Sequence, residues 1–121
     1  MGYRSNVAVV IYGDDLNPEK YTLLKTLMNT TFKDVYSEFE GTAEWHDTKR
    51  VLEFRLEDVK WYGGYGDVQK FMQMLDSIND IEGLNYEFMR LGEDDNDIDT
   101  QQGGNGTEGL LRCVRTIEVE L

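Results

Sequence analysis

An uninterrupted run of apolar residues near the start of the chain constrains the fold more than any other feature. Residues 7–11 have the sequence Val-Ala-Val-Val-Ile, inside a predicted strand at residues 3–12. β-Branched side chains favour extended backbone, and a strand that is apolar at every position is suited to burial on both faces. We therefore predict that this strand lies near the centre of a mostly antiparallel sheet.

Two stretches with apolar residues at spacings of three and four predict two helices on one face of that sheet. The first begins at Asn17-Pro18, an N-cap followed by a residue suited to the first helical position, and ends at Gly41. The second runs from Asp67 to Gly83. The predicted apolar faces are Tyr21, Leu24, Met28, Phe32, Val35 and Phe39 in the first helix, and Val68, Phe71, Met72, Leu75 and Ile78 in the second.

Four further strands are predicted at residues 42–47, 51–57, 84–91 and 110–121. The first two flank a tight turn at residues 46–50, and the alternation slips near Glu57-Asp58, which indicates a bulge. Residues 92–109 are acidic and rich in glycine and are predicted to be a loop. The order β-α-β-β-α-β-β over residues 1–121 predicts a single α+β domain, a sandwich related to the ferredoxin-like folds.

The charge of the chain limits its partners. There are 12 Lys and Arg residues against 24 Asp and Glu residues, giving a net charge of −12. Such a chain is repelled by a nucleic-acid backbone and by an anionic membrane surface. The longest apolar runs span only a few residues, as at residues 7–12, so no transmembrane segment or signal peptide is predicted. One cysteine, Cys113, cannot form an internal disulfide, and this fits a cytoplasmic protein.

The acidic segment is the first candidate for a binding site. Five carboxylates fall within seven positions: Glu93, Asp94, Asp95, Asp97 and Asp99. Carboxylates can bind Ca²⁺, and an EF-hand template placed from Asp97 has acids at its first, third and twelfth positions. Its sixth position is Gln102, however, where the template needs glycine. The alternatives are a solvated loop or a loop that binds a basic partner surface.

Aromatic residues beside glycines form the second candidate. Trp61, Tyr62 and Tyr65 surround Gly63-Gly64, and Trp and Tyr are favoured at protein interfaces. The structural alternative is that Trp61 and Tyr65 close the core at the start of the second helix. Both interpretations are compatible with the sequence.

Catalytic residues are harder to find. His46 is the only histidine, and its position favours a surface residue in a turn, although Glu44 shares its strand face. Cys113 has the strand parity of Ile117 and Val119, which favours a buried structural thiol. We therefore predict no catalytic residues, no metal site and no cofactor.

Four short strings are distributed along most of the length of the chain: MGYRSNV at residues 1–7, VKWY at 59–62, FMRLGED at 88–94 and VRTIEV at 114–119. With these strings the chain resembles a family of small proteins encoded by tailed bacteriophages. The resemblance implies a phage origin and an accessory role in the cytoplasm of an infected bacterium. Small acidic phage proteins often bind and inhibit a host protein, including defence proteins, and by that analogy we expect a non-enzymatic protein that binds a host protein with a basic surface.

Two other functions are compatible with the sequence. The first is binding of a small ligand such as a nucleotide signal, if Arg4, Arg90, Arg112 and Arg115 cluster to meet its phosphates. The second is a metal-assisted hydrolase, which would need ligands that converge from distant segments and is disfavoured by the single histidine.

Overall fold

The structure, a computed structural model, describes residues 4–62, 64–94, 96–104, 109–113 and 117–121, without the side chains of Arg112, Cys113 and Glu118. The strands are β1 (Ser5–Gly13), β2 (Ala43–His46), β3 (Val51–Val59), β4 (Leu84–Leu91), β5 (Ile98–Gly103), β6 (Leu111–Cys113) and β7 (Ile117–Val119). The helices are α1 (Pro18–Asn29), α2 (Lys33–Phe39) and α3 (Gly66–Asn79), with short 3₁₀ turns at Asp14–Leu16 and Glu40–Thr42.

The first five strands form an open sheet in the order β2-β3-β1-β4-β5, in which all neighbours are antiparallel. The prediction of an α+β fold is confirmed, as is the central position of β1. Strands β6 and β7 pair separately as a small antiparallel hairpin. Among the described residues, no helix combines the length and the apolar character that crossing a membrane requires.

Both faces of β1 are buried, because a different layer covers each. Val7, Val9 and Ile11 belong to the main core, together with Leu24 of α1 and Phe71 of α3. The intervening residues of β1 pack with side chains of the C-terminal segment: Ala8 with Ile117, and Val10 and Tyr12 with Leu110. The run of apolar residues is therefore explained by two cores, one on the helix side and one on the hairpin side of the sheet.

The prediction of one long helix from residue 17 to residue 41 is wrong, since α1 and α2 are separate. The chain leaves α1 at Thr30, whose φ of −129° and ψ of −85° are not helical, and the Phe32 amide donates to the Leu27 carbonyl at 2.9 Å. The predicted apolar face is nevertheless retained. The break redirects α2 so that Phe39 contacts the ring of Phe71, with centroids 4.8 Å apart. The sheet therefore carries three α-helices rather than two.

The predicted bulge in β3 is confirmed. Ser5 pairs with Val59 and Val7 with Leu56, so β3 contains one extra residue between these pairs. Asp58 has a φ of 53°, and its amide donates to Asn6 Oδ1 at 2.8 Å. Because the extra residue lies in β3 alone, it shifts the alternation of side chains between the two faces of the sheet by one position.

The prediction of a loop over residues 92–109 is wrong at Ile98–Gly103, because these residues form β5 and pair with β4. An edge strand has one partner only, and residues 98–102 are exposed, so no apolar alternation marks this strand in the sequence. Gly103 is required where the strand ends. A Cβ atom there would lie 2.2 Å from Cε1 of Tyr86.

The predicted last strand, residues 110–121, is two strands instead of one. The hairpin is held to the sheet by Glu87 of β4, which is 3% exposed. Glu87 Oε1 accepts from the amides of Leu110 at 2.8 Å and Leu111 at 3.3 Å, and Oε2 accepts from the Tyr12 hydroxyl. A buried carboxylate needs such donors. Residues 114–116, which the prediction placed inside the strand, lie outside the described part of the chain.

Candidate binding groove

An open groove of about 470 Å³ lies on the helix side of the sheet, between α3 and the β5 edge. Trp61 and Tyr62 form one wall, and the side chains of β4 and β5 form the floor. The full lining is Trp61, Tyr62, Val68, Met72, Phe88, Arg90, Asp97, Asp99 and Gln101. The groove thus brings together four of the eight residues predicted to bind a partner: Trp61, Tyr62, Asp97 and Asp99.

Arg90 organises the polar end of the groove. Its Nη2 lies 2.7 Å from Asp97 Oδ1 and 2.7 Å from Asp99 Oδ2, and its Nη1 donates to Ser5 Oγ at 3.0 Å. Asp99 is the direct cross-strand neighbour of Arg90, so the pairing of β4 with β5 sets this contact. The hydrogen bonds to Asp97 and then Asp99 raise the pKa of Arg90 further above its usual range.

Trp61 connects the groove to the core. Its ring meets Phe71 edge-on with centroids 5.7 Å apart, and Phe39 lies 6.4 Å away on the same side. Trp61 therefore packs against the core near the start of α3, as the structural alternative expects, and it also lines the groove. Its neighbour Tyr62 lines the groove and stacks edge-on against Tyr65 at 5.1 Å. Tyr65 is 44% exposed and lies outside the groove lining.

The acidic residues do not act as one surface. Asp97 and Asp99 face Arg90 in the groove, while Glu93 Oε1 accepts from the Arg4 amide at 3.2 Å and lines a separate depression. The Asp94 carbonyl accepts from the Asp97 amide at 2.9 Å and shapes the turn before β5. Asp95 lies outside the described residues.

The EF-hand alternative loses support from this arrangement. A guanidinium group already occupies the space between Asp97 and Asp99 that a cation would take. The twelfth position, Glu108, is outside the described residues.

The arginines of the nucleotide-binding alternative also contact protein oxygens. Arg4 donates to the Asp58 carbonyl at 2.9 Å, and Arg90 is held by its two aspartates. Arg50 donates to the Leu16 carbonyl and Arg55 to Glu53. Each arginine side chain that the structure describes is thus engaged, while Arg115 and the side chain of Arg112 are outside the description. In the described part of the chain, the contacts of the arginines therefore give no support to a phosphate site.

The prediction of His46 as a surface residue in a turn is confirmed for the turn, because the His46 carbonyl accepts from the Arg50 amide at 2.7 Å, but it is wrong for the side chain. His46 ends β2 and is only partly exposed, and its Nε2 lies 2.7 Å from Glu53 Oε1 and 2.8 Å from Glu44 Oε2. The sequence placed Glu44 on the same face as His46. It missed Glu53, because only the pairing of β2 with β3 brings that residue opposite Glu44.

The sequence does not indicate that Arg90 lies at the centre of the groove, and it places this residue only at a possible phosphate site. The partner Asp99 lies on β5, an edge strand whose exposed side chains give no apolar alternation.

Comparison of the chain with protein-family models, with curated proteins and with solved structures gives no match.

Proposed function

We propose that this chain is a non-enzymatic bacteriophage accessory protein that binds a host protein and inhibits or redirects it in the cytoplasm of the infected bacterium. One observation carries the proposal: the groove places the aromatic side chains of Trp61 and Tyr62 beside the Arg90–Asp97–Asp99 cluster. Trp, Tyr and Arg are the residues most enriched at the energetic centres of protein interfaces. An apolar wall next to fixed charges can supply both affinity and register.

The charge of the chain supports a partner with a basic surface. A net charge of −12 accelerates association with a cationic partner and opposes direct binding to nucleic acid or to an anionic membrane. The phage origin rests on the resemblance of the four sequence strings.

The fold gives further support to the proposed class of protein. The first four strands lie in the order β2-β3-β1-β4, with α1 following β1 and α3 following β3, and this order supports a ferredoxin-like relation. Strand β5 and the β6–β7 hairpin are additions to that arrangement. The groove is formed by one of these additions, β5, together with α3 and β4.

A pair of variants on one strand tests the proposed docking surface. Gln101 is exposed and lines the groove, whereas Thr100 is exposed on the opposite face of β5. Gln101→Lys puts a positive charge into the groove, and Thr100→Lys makes the same charge change outside it. We expect immobilised wild type and Thr100→Lys to capture the same host protein from bacterial lysate at low salt, and Gln101→Lys to capture at least about tenfold less.

Equal capture by both variants would show that the groove is not the docking surface. Failure of the wild type to retain any host protein at low salt, across several hosts, would refute the proposed function itself. Circular dichroism of both variants checks that neither substitution unfolds the protein.

A further inference from the structure

Three potential metal ligands meet on the face of the sheet opposite the helices. Glu44 and His46 are two residues apart in β2, so their side chains leave the same face of the strand. Glu53 in β3 is the direct cross-strand partner of Glu44. Two rigid, paired strands therefore position all three side chains, and one ligand atom from each lies within 4.8 Å of the other two.

A single proton cannot satisfy this arrangement well. His46 Nε2 lies 2.7 Å from Glu53 Oε1 and 2.8 Å from Glu44 Oε2, so two carboxylates approach the same ring nitrogen. That nitrogen carries at most one hydrogen, which it can direct well toward only one of them. A divalent cation between the three atoms would contact all of them at once and would offset the charge of both carboxylates.

The surroundings of Glu53 also fit a metal ligand. Its side chain is largely buried, and Oε2 accepts from Arg55 Nε at 3.2 Å, which leaves Oε1 facing His46. Outer hydrogen-bond partners of this kind orient the carboxylates that bind metals. Glu44 is exposed at the rim of an open groove of about 420 Å³ that also contains Gly41, Thr42 and Arg55. An ion can therefore enter from solvent.

We propose that Glu44, His46 and Glu53 bind a divalent transition metal, with Zn²⁺ as the best fit, and leave a fourth position open toward the groove. One imidazole nitrogen and two carboxylate oxygens are donors that suit Zn²⁺, whereas Mg²⁺ and Ca²⁺ favour oxygen-only sites. Bonds of about 2.0–2.2 Å in a tetrahedral site separate ligand atoms by about 3.4 Å. The two contacts of His46 Nε2, at 2.7 and 2.8 Å, would need to open by only about 0.6–0.7 Å. The site is independent of the proposed docking groove, which lies on the other face.

Because His46 is the only histidine, its imidazole signals report on the site without overlap. We would titrate ¹⁵N-labelled protein with ZnCl₂ and follow these signals by NMR, together with thermal unfolding. We expect the Nε2 signal to shift and the Tm to rise by roughly 5–10 °C when free Zn²⁺ is about a hundredfold above its Kd.

Matched variants separate the site from other carboxylates of this acidic chain. Glu44→Gln and His46→Gln should each weaken Zn²⁺ binding at least about tenfold. Glu82→Gln, an exposed carboxylate in the turn before β4 and away from this groove, should bind as the wild type does. Cys113→Ser removes the only thiol and should also leave binding unchanged.

The proposal is overturned if the imidazole signals do not move at saturating Zn²⁺, or if binding survives both Glu44→Gln and His46→Gln. Should His46→Gln fail to fold, Glu44→Gln still decides the question, because its side chain is exposed and outside the core. Binding that disappears only in Cys113→Ser would place the metal at the thiol and equally overturn the proposal.

Discussion

At one edge of the main sheet, a guanidinium group lies between two carboxylates. At the other edge, an imidazole nitrogen lies between two carboxylates. The first cluster is Arg90 with Asp97 and Asp99 on β4 and β5, and the second is His46 with Glu44 and Glu53 on β2 and β3. The two clusters lie on opposite faces. Both depend on cross-strand pairs, Arg90 with Asp99 and Glu44 with Glu53.

The difference between the central groups explains why the clusters suit different tasks. Arginine is permanently charged and has five donors, so Arg90 reaches both aspartates and Ser5 at the same time. Its cluster retains one net negative charge, because one guanidinium faces two carboxylates, and it forms part of the groove. Histidine carries at most one hydrogen at Nε2, and two carboxylates approach that atom in His46, so the second cluster retains capacity for a cation. Two acids around one base therefore form part of the proposed docking groove at one edge and the proposed metal site at the other.

The largest expected effect is that of Glu87, a buried carboxylate on β4 in the interior of the sheet. The losses of stability at the two edges can be compared with the loss at this residue. Glu87→Ala leaves the Leu110 and Leu111 amides and the Tyr12 hydroxyl without their acceptor. We expect a loss of about 3–5 kcal/mol in the free energy of unfolding, measured by urea denaturation. Glu87→Gln keeps the volume and an acceptor oxygen and should recover part of that loss. A loss of stability smaller than that of Arg90→Ala or Tyr21→Phe, the two variants described below, would contradict the central role of Glu87.

An intermediate effect is expected at the arginine edge. Arg90→Ala leaves Asp97 and Asp99 close together without a cation, and because both are partly exposed we expect a loss of only about 1–3 kcal/mol. Amide hydrogen exchange should show which strands are destabilised. The amides of β5 should lose protection from exchange, whereas those of β2 should keep it. Arg90→Lys, which retains the charge without the bidentate geometry, is the matched control and should lie in between. Uniform loss of protection across both edges would show that the clusters are not independent.

The smallest effect concerns a contact next to the histidine edge. The Tyr21 hydroxyl donates to Asp47 Oδ1 at 2.6 Å, and burial followed by this hydrogen bond raises the pKa of Tyr21. We expect Tyr21→Phe to cost about 1 kcal/mol at neutral pH. A tyrosine whose pKa is raised by folding contributes its stability in full below its unfolded pKa of about 10 and loses it as the pH rises further.

Thermal unfolding of the wild type and Tyr21→Phe as a function of pH checks this sign. The Tm difference between the two proteins should be constant from about pH 6 to pH 10, where Asp47 is ionised and Tyr21 is neutral, and should narrow above pH 10. A difference that widens in alkali would mean that folding lowers the pKa of this hydroxyl.

Local sequence was sufficient where one segment carries the whole signal. The run at residues 7–11 predicted a central strand, because β-branched residues on both faces leave no side for water. The slip at Glu57-Asp58 predicted the bulge in the same way, since alternation has a fixed period of two. The sequence also indicates the acidic segment and the aromatic string as candidate binding sites, and four of their residues line the groove.

Tertiary structure decided what depends on partners distant in the chain. Strand β5 exists because β4 offers it backbone hydrogen bonds, and its exposed side chains carry no apolar signal. The break after α1 accompanies the packing of Phe39 on Phe71, a contact between residues far apart in the chain. The roles of Arg90 and His46 depend on which acids the strand register places opposite them. The sequence determined which residues must be buried and which strand is central; strand pairing determined which charges meet, because contacts across a sheet join residues that no local pattern relates.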